Sequence, residues 1–155
     1  MDRLATFVTG LARQTNPYFS MVIWTEQFAT GSDTLDQQHR MLINNLNLLE
    51  SLLTDTNPSR EQGEFLIHLV DFLESYANTH FEFEEECMER YRCPAHAQNK
   101  QAHEQFRKFL REFKERSRAE GLRLDVLNSL YQRLSSWIEG HILSVDTQLR
   151  PCIKT

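Results

Sequence analysis

Residues 65–87 read FLIHLVDFLESYANTHFEFEEEC, with no Gly or Pro among them. Phe65, Leu69, Phe72 and Tyr76 recur at three- and four-residue spacing, which predicts one apolar face of a helix. The same spacing carries the face on through His80, Glu84 and Cys87. An imidazole and a carboxylate therefore sit one turn apart on a side that should be buried. Burying such groups is costly unless something satisfies them.

Working outward, three more segments have the same character. Residues 34–53 align Leu35, His39, Leu42, Ile43, Leu46, Leu49 and Leu53. Residues 95–119 align Asn99, His103, Phe106, Leu110 and Phe113, and residues 124–149 align Leu127, Leu130, Tyr131, Leu134, Ile138, His141 and Val145. Thr54–Pro58, Cys93-Pro94 and Gly121 supply breaks between them, and Pro151 is expected to stop the last. Four long helices on short loops predict an all-α, up-down-up-down four-helix bundle. Leu4, Phe7, Val8 and Leu11 predict an extra N-terminal helical segment that ends near Asn16-Pro17. The expected division is residues 1–23 as helix or linker and 24–155 as bundle. Trp24 and Phe28 are expected to form a lid on it.

Each predicted inner face holds one histidine: His39, His80, His103 or His141. A single such histidine is ordinarily a hydrogen-bonded core residue. Four of them on four helices, with Glu84 beside His80, point instead to a metal site between facing helices. The three cysteines form no CxxC pair, and their odd number points to reduced thiols. Imidazole with carboxylate suits iron, manganese or zinc. Four histidines with two carboxylates exceed what one open catalytic zinc uses and suit two bridged metals. His68 lies about 120° round the helix from His80 and His96 about 10 Å along the axis from His103, so neither is expected to ligate. Tyr76 and Tyr131 are read as core phenols, and Glu85-Glu86 as a solvated face.

The net charge of −5 disfavours nucleic acid as partner. No apolar run approaches the roughly 20 residues of a membrane span, and residues 1–20 lack a signal-peptide core. A cytoplasmic, membrane-free protein is expected.

The combined stretches Asp36-Gln37-Gln38-His39, His80-Phe81-x-x-Glu84-Glu85-x-x-Met88, His103-x-x-Phe106 and His141-x4-Asp146 resemble the bacterial hemerythrins, from about Trp24 to Arg150. The resemblance implies an oxygen-binding centre of two non-haem iron ions joined by an oxo or hydroxo bridge. It makes Glu84 and Asp146 bridging carboxylates, with His39 and His80 on one iron and His103 and His141 on the other. On a regular helix Asp146 lies about 140° from His141. The resemblance thus requires a local change of the helix or a swing of the carboxylate.

Two positions depart from the family pattern. Cys93 replaces its usual Tyr, and Asn99 stands four residues before His103, where the family has a further histidine ligand. Asn99 is expected to be a weak amide ligand or to bind a metal-held water. Losing one strong donor suits an oxygen or redox sensor that autoxidises rapidly. The alternatives are a reversible oxygen carrier or store, and a di-iron peroxidase or oxidase. Molecular oxygen is the expected small ligand. No enzyme activity is expected of the domain itself; a signalling output such as a diguanylate cyclase would be a separate fused or associated domain.

Overall fold

The computed structural model describes residues 21–54, 60–120 and 123–153. Four helices dominate it: α1 (Asp33–Leu53), α2 (Arg60–Arg90), α3 (His96–Glu120) and α4 (Leu124–Ser144). A short α5 (Leu149–Ile153) follows, and 3-10 turns occupy Glu26–Phe28 and Asp146–Gln148. No strand occurs among the described residues. The packing of α1 on α2 and α4, and of α2 on α3, gives the expected four-helix bundle. The expected N-terminal helix, all but Thr54 of the turn expected at Thr54–Pro58, and the break expected at Gly121 lie outside the described residues.

Most of the predicted inner faces are buried as expected. Every apolar position foreseen on α1 and α4 is in the core, as are Phe106 and Leu110 on α3, with Phe113 packed against it. On α2 the expected stripe is displaced. Phe65 and Phe72 are 47% and 46% exposed, while Leu66, Leu69, Val70, Leu73, Ala77 and Phe81 are buried. At about 100° per residue, the buried arc spans roughly 120° and is centred near Glu84. Phe65, Phe72 and Tyr76 lie about 80–120° from that centre. The chosen stripe followed one edge of the buried face, because α2 is apolar on both sides of that edge.

The helix ends have identifiable causes. Ser32 caps α1, its hydroxyl accepting from the Leu35 N–H at 3.4 Å. Just before it Gly31 adopts φ 88°, a left-handed conformation suited to glycine. At the other end of the sequence motif, α2 closes with Arg92 at φ 51°. The Cys93 N–H reaches the Met88 carbonyl at 2.8 Å, and the Arg92 N–H reaches Glu89 at 2.9 Å. This paired closure ends the helix and turns the chain towards α3.

The segment before α1 packs on the bundle. Asn47 holds both the N–H and the carbonyl of Val22, at 3.1 and 2.9 Å. Phe28 is buried, and Trp24 stacks on it at 5.7 Å between centroids, under the Arg40 guanidinium. The expected lid is therefore present.

Far from the histidines, the buried Tyr131 hydroxyl donates to Glu50 at 2.8 Å. Burial, then Glu50, pushes the phenol above its ordinary pKa. Removing the hydroxyl leaves a buried carboxylate short of one donor. Tyr131→Phe is expected to destabilise the fold by about 1–3 kcal/mol, read as a lower midpoint in urea unfolding.

Candidate metal centre

His39, His80, His103 and His141 converge between the four helices and point their Nε2 atoms at one another. His39 Nε2 lies 3.1 Å from His80 Nε2, and His103 Nε2 lies 3.1 Å from His141 Nε2. Glu84 and Asp146, both fully buried, sit between the two pairs. Glu84 reaches His39 at 3.8 Å, His80 at 3.9 Å and His103 at 3.4 Å. Asp146 reaches His141 at 3.0 Å and His39 at 3.3 Å. Two sets of mutually close donors result: His39, His80, Glu84 and Asp146, and Glu84, His103, His141 and Asp146. They share both carboxylates.

Asp146 reaches this point because α4 does not run to Leu149. It ends at Ser144, and Val145 takes φ −117°, ψ −56°. The chain then tightens into the 3-10 turn Asp146–Gln148, which brings the carboxylate to the side of His141. The C-terminal segment is anchored beyond the turn. Leu149 is fully buried, and the Arg150 guanidinium donates to the Ala29 and Glu26 carbonyls. Pro151 does not stop a helix here but lies in the first turn of α5, where its missing N–H costs no helical bond.

The surrounding shell fixes the rings. His80 Nδ1 donates to the Gln38 amide oxygen at 2.9 Å, and His103 Nδ1 donates to Glu85 at 2.9 Å. In a neutral ring, a proton on Nδ1 leaves a lone pair on Nε2. Both lone pairs then face the centre. Phe81 stacks on His103 at 3.8 Å, and Trp137 on His141 at 4.3 Å. Arg107 in turn donates to Glu85 and Asn78, at 3.5 and 3.1 Å.

Asn99 is fully buried inside the donor set. Its amide nitrogen donates to Glu84 at 3.2 Å and to the Met88 sulfur at 3.4 Å, and its oxygen lies 2.9 Å from His141 Nε2.

Charge is unevenly held. Burial opposes the His39 cation, but Asp146 and Glu84 outweigh it and raise the His39 pKa. Burial, then the charge on His39, drives His80 well below its ordinary value. Burial also opposes ionisation of Asp146, yet His141 and His39 hold its carboxyl well below the usual range. Glu84 goes the other way, raised by burial and by Asp146.

Protein groups alone leave this set unsatisfied. Glu84 Oε1, both Asp146 oxygens and His39 Nδ1 have no well-directed hydrogen bond, although they are buried. A neutral His103 with its proton on Nδ1 presents Nε2 to a Glu84 oxygen at 3.4 Å, and two such acceptors attract each other only through a shared proton or cation. Cations repair both faults. Neighbouring donors about 3 Å apart are also what two ligands of one ion show when each bond is about 2.1 Å.

Exposed His68 stands outside the cluster, and His96 at the start of α3 belongs to neither donor set. Tyr76 packs on Phe72 instead of the centre. Glu86 is solvated, but Glu85 is not: it orients His103. Sequence reading missed that role, and the stacking roles of Phe81 and Trp137. A metal-facing imidazole needs an acceptor on its other nitrogen, which is the signal that would have singled out Glu85.

Residues 30–153 match the Hemerythrin HHE cation binding domain family. The chain is 35% identical over 127 residues to a bacteriohemerythrin of Stenotrophomonas maltophilia, covering 82% of this chain and 78% of that protein. It is 29% identical over 125 residues to a bacteriohemerythrin of Pseudomonas paraeruginosa, covering 81% and 76%. A bacteriohemerythrin of Pseudomonas aeruginosa is 28% identical over the same length. With its cation-binding domain, its helical bundle and its six convergent imidazoles and carboxylates, this chain belongs to the hemerythrin family.

Proposed function

We propose that the bundle holds two iron ions and binds molecular oxygen, and that it serves as an oxygen or redox sensor. The observation that carries the reading is the pair of four-residue donor sets that share Glu84 and Asp146. Glu84 and Asp146 would be available to both ions. His39 and His80 complete one end, and His103 and His141 the other.

Bound iron supplies the electrons that oxygen takes up. The protein's own residues set the conditions. Gln38 and Glu85 hold His80 and His103 with Nε2 bare, and Phe81 and Trp137 fix the ring planes. Leu42 and Ile43, one turn from His39, and Ile138, one turn from His141, are buried and would keep water from the centre on the core side. Two carboxylates offset only two of the four charges of a ferrous pair, so the set does not drive the iron towards the ferric state as a carboxylate-rich set would. A groove of 770 Å³ lined by Phe106, Phe109, Arg133, Trp137, Gly140 and His141 reaches the edge of the cluster.

Asn99 favours a sensor over a carrier. It occupies a ligand's place with an amide, a weaker donor than imidazole. The Asn99 amide would hold its place at the centre less firmly than an imidazole, and water would compete with it there. The switch would be read by a partner that distinguishes two states of the bundle.

Three measurements follow from this reading. Metal analysis is expected to find two irons per chain, with an optical spectrum that bleaches on anaerobic reduction; one ion, or only zinc, would overturn the cofactor assignment. Reduced protein mixed with oxygen in a stopped-flow instrument is expected to pass quickly to the oxidised spectrum. Asn99→His is expected to slow that passage on the order of tenfold, about 1.4 kcal/mol of barrier; an unchanged or faster rate defeats the account of Asn99. Glu85→Ala is expected to weaken metal retention about 10–100-fold in chelator competition, whereas the solvated Glu86→Ala leaves it unchanged.

A further inference from the structure

Two thiols that the metal centre does not use meet at the end of the bundle. Cys93 follows the closure of α2, and Cys152 lies in α5. Their sulfurs are 2.7 Å apart, about 0.7 Å beyond a covalent S–S bond. Each sulfur also lies 3.4 Å from the Gln148 carbonyl, so one backbone group holds both in register. Cys93 is buried and Cys152 partly exposed. Around them Leu35, Met88, Ala95 and Leu149 form a small apolar cluster separate from the main core.

We propose that Cys93 and Cys152 are a redox modification site, which hydrogen peroxide converts to a reversible intramolecular disulfide. The partly exposed Cys152 sulfur attacks peroxide. An S–O bond forms, the O–O bond breaks, and one water leaves with the thiol proton. The Cys93 sulfur then attacks the Cys152 sulfenic acid. The S–S bond forms, the S–O bond breaks, and a second water leaves. Two thiols and one peroxide thus give one disulfide and two waters, with the sulfurs oxidised and the peroxide reduced. A dithiol reductant returns the pair to thiols.

Burial, then the neighbouring Cys93, pushes the Cys152 thiol up to about 11. Little thiolate is present near neutral pH, so the pair responds to sustained peroxide and is no rapid scavenger. The bond would fasten α5 to the α2–α3 turn. That segment also carries Leu149, the anchor immediately beyond the Asp146 turn. The disulfide itself does not depend on the metal reading.

The test uses the full chain, treated with hydrogen peroxide, quenched and alkylated. Two of its three thiols are expected to become unreactive. Peptide mass mapping is expected to find residues 93 and 152 linked, with two hydrogens lost and dithiothreitol restoring them. The monomer should melt at a higher temperature when oxidised. Cys93→Ser and Cys152→Ser should each abolish the link and the melting shift, and Cys87→Ser should preserve both. Three persisting thiols, a link to Cys87, disulfide-joined dimers, or sulfinic acid without a link would each overturn the proposal.

Discussion

Two carboxylates and four imidazoles are buried at one level of a small helical bundle, and the rest of the structure answers to that constraint. An unpaired buried charge costs several kcal/mol even after the protein relaxes around it. Here the charges are only partly compensated from within. His39 and His141 serve Asp146, but His80 and His103 turn bare nitrogens inward because Gln38 and Glu85 hold their other protons. The arrangement is therefore poor as a polar core and good as a ligand cage. A core selected for stability alone would replace these groups with apolar side chains of similar volume.

The need to assemble that cage explains where helical regularity gives way. His80 and Glu84 are separated by one turn and need no adjustment. His141 and Asp146 are five residues apart and do. The bundle resolves this by ending α4 at Ser144 and tightening the next residues into a 3-10 turn. Such a break must be held from outside. Leu149 and the Arg150 bonds to the segment before α1 hold it from the C-terminal side. On the other side Thr30 donates its N–H and hydroxyl to Asp36, each at 2.8 Å, and so fixes the approach to α1. Ligand geometry at the centre thus depends on the packing of both flanking segments against the bundle end.

The same contrast decides what was legible in the sequence. On α1 the exposed apolar residues Met41 and Leu48 lie on the side opposite the buried ones, so its core positions could be read directly. Helix α2 is different: Phe65, Ile67 and Phe72 are exposed although apolar, and periodicity alone cannot choose between overlapping stripes. The four histidines and Glu84 were legible because ionisable groups on apolar faces contradict the local pattern. Asp146 was not legible from spacing, since its position depends on a helix break imposed by distant contacts. Glu85 was obscured by its neighbours. Beside Glu84 and Glu86 it reads as part of an acidic surface run, yet about 100° of rotation from Glu84 turns it towards α3 and His103.

Asn99 shows how little a substitution can alter charge while altering chemistry. Imidazole and amide are both neutral, so the donor set carries the same two negative charges with either. With iron bound as proposed, the electrostatic preference for one oxidation state would therefore be nearly preserved. Donor strength and reach do change. The Asn99 amide is short, and its nitrogen is already engaged with Glu84 and the Met88 sulfur, leaving only its oxygen towards His141. His141 is also the histidine at which the α3–α4 groove reaches the cluster. The Asn99 amide thus adjoins the ring that meets the groove, where small molecules would reach the cluster. On the proposed function, that arrangement favours exchange over retention, and the difference between holding oxygen and reporting it would rest on a single side chain.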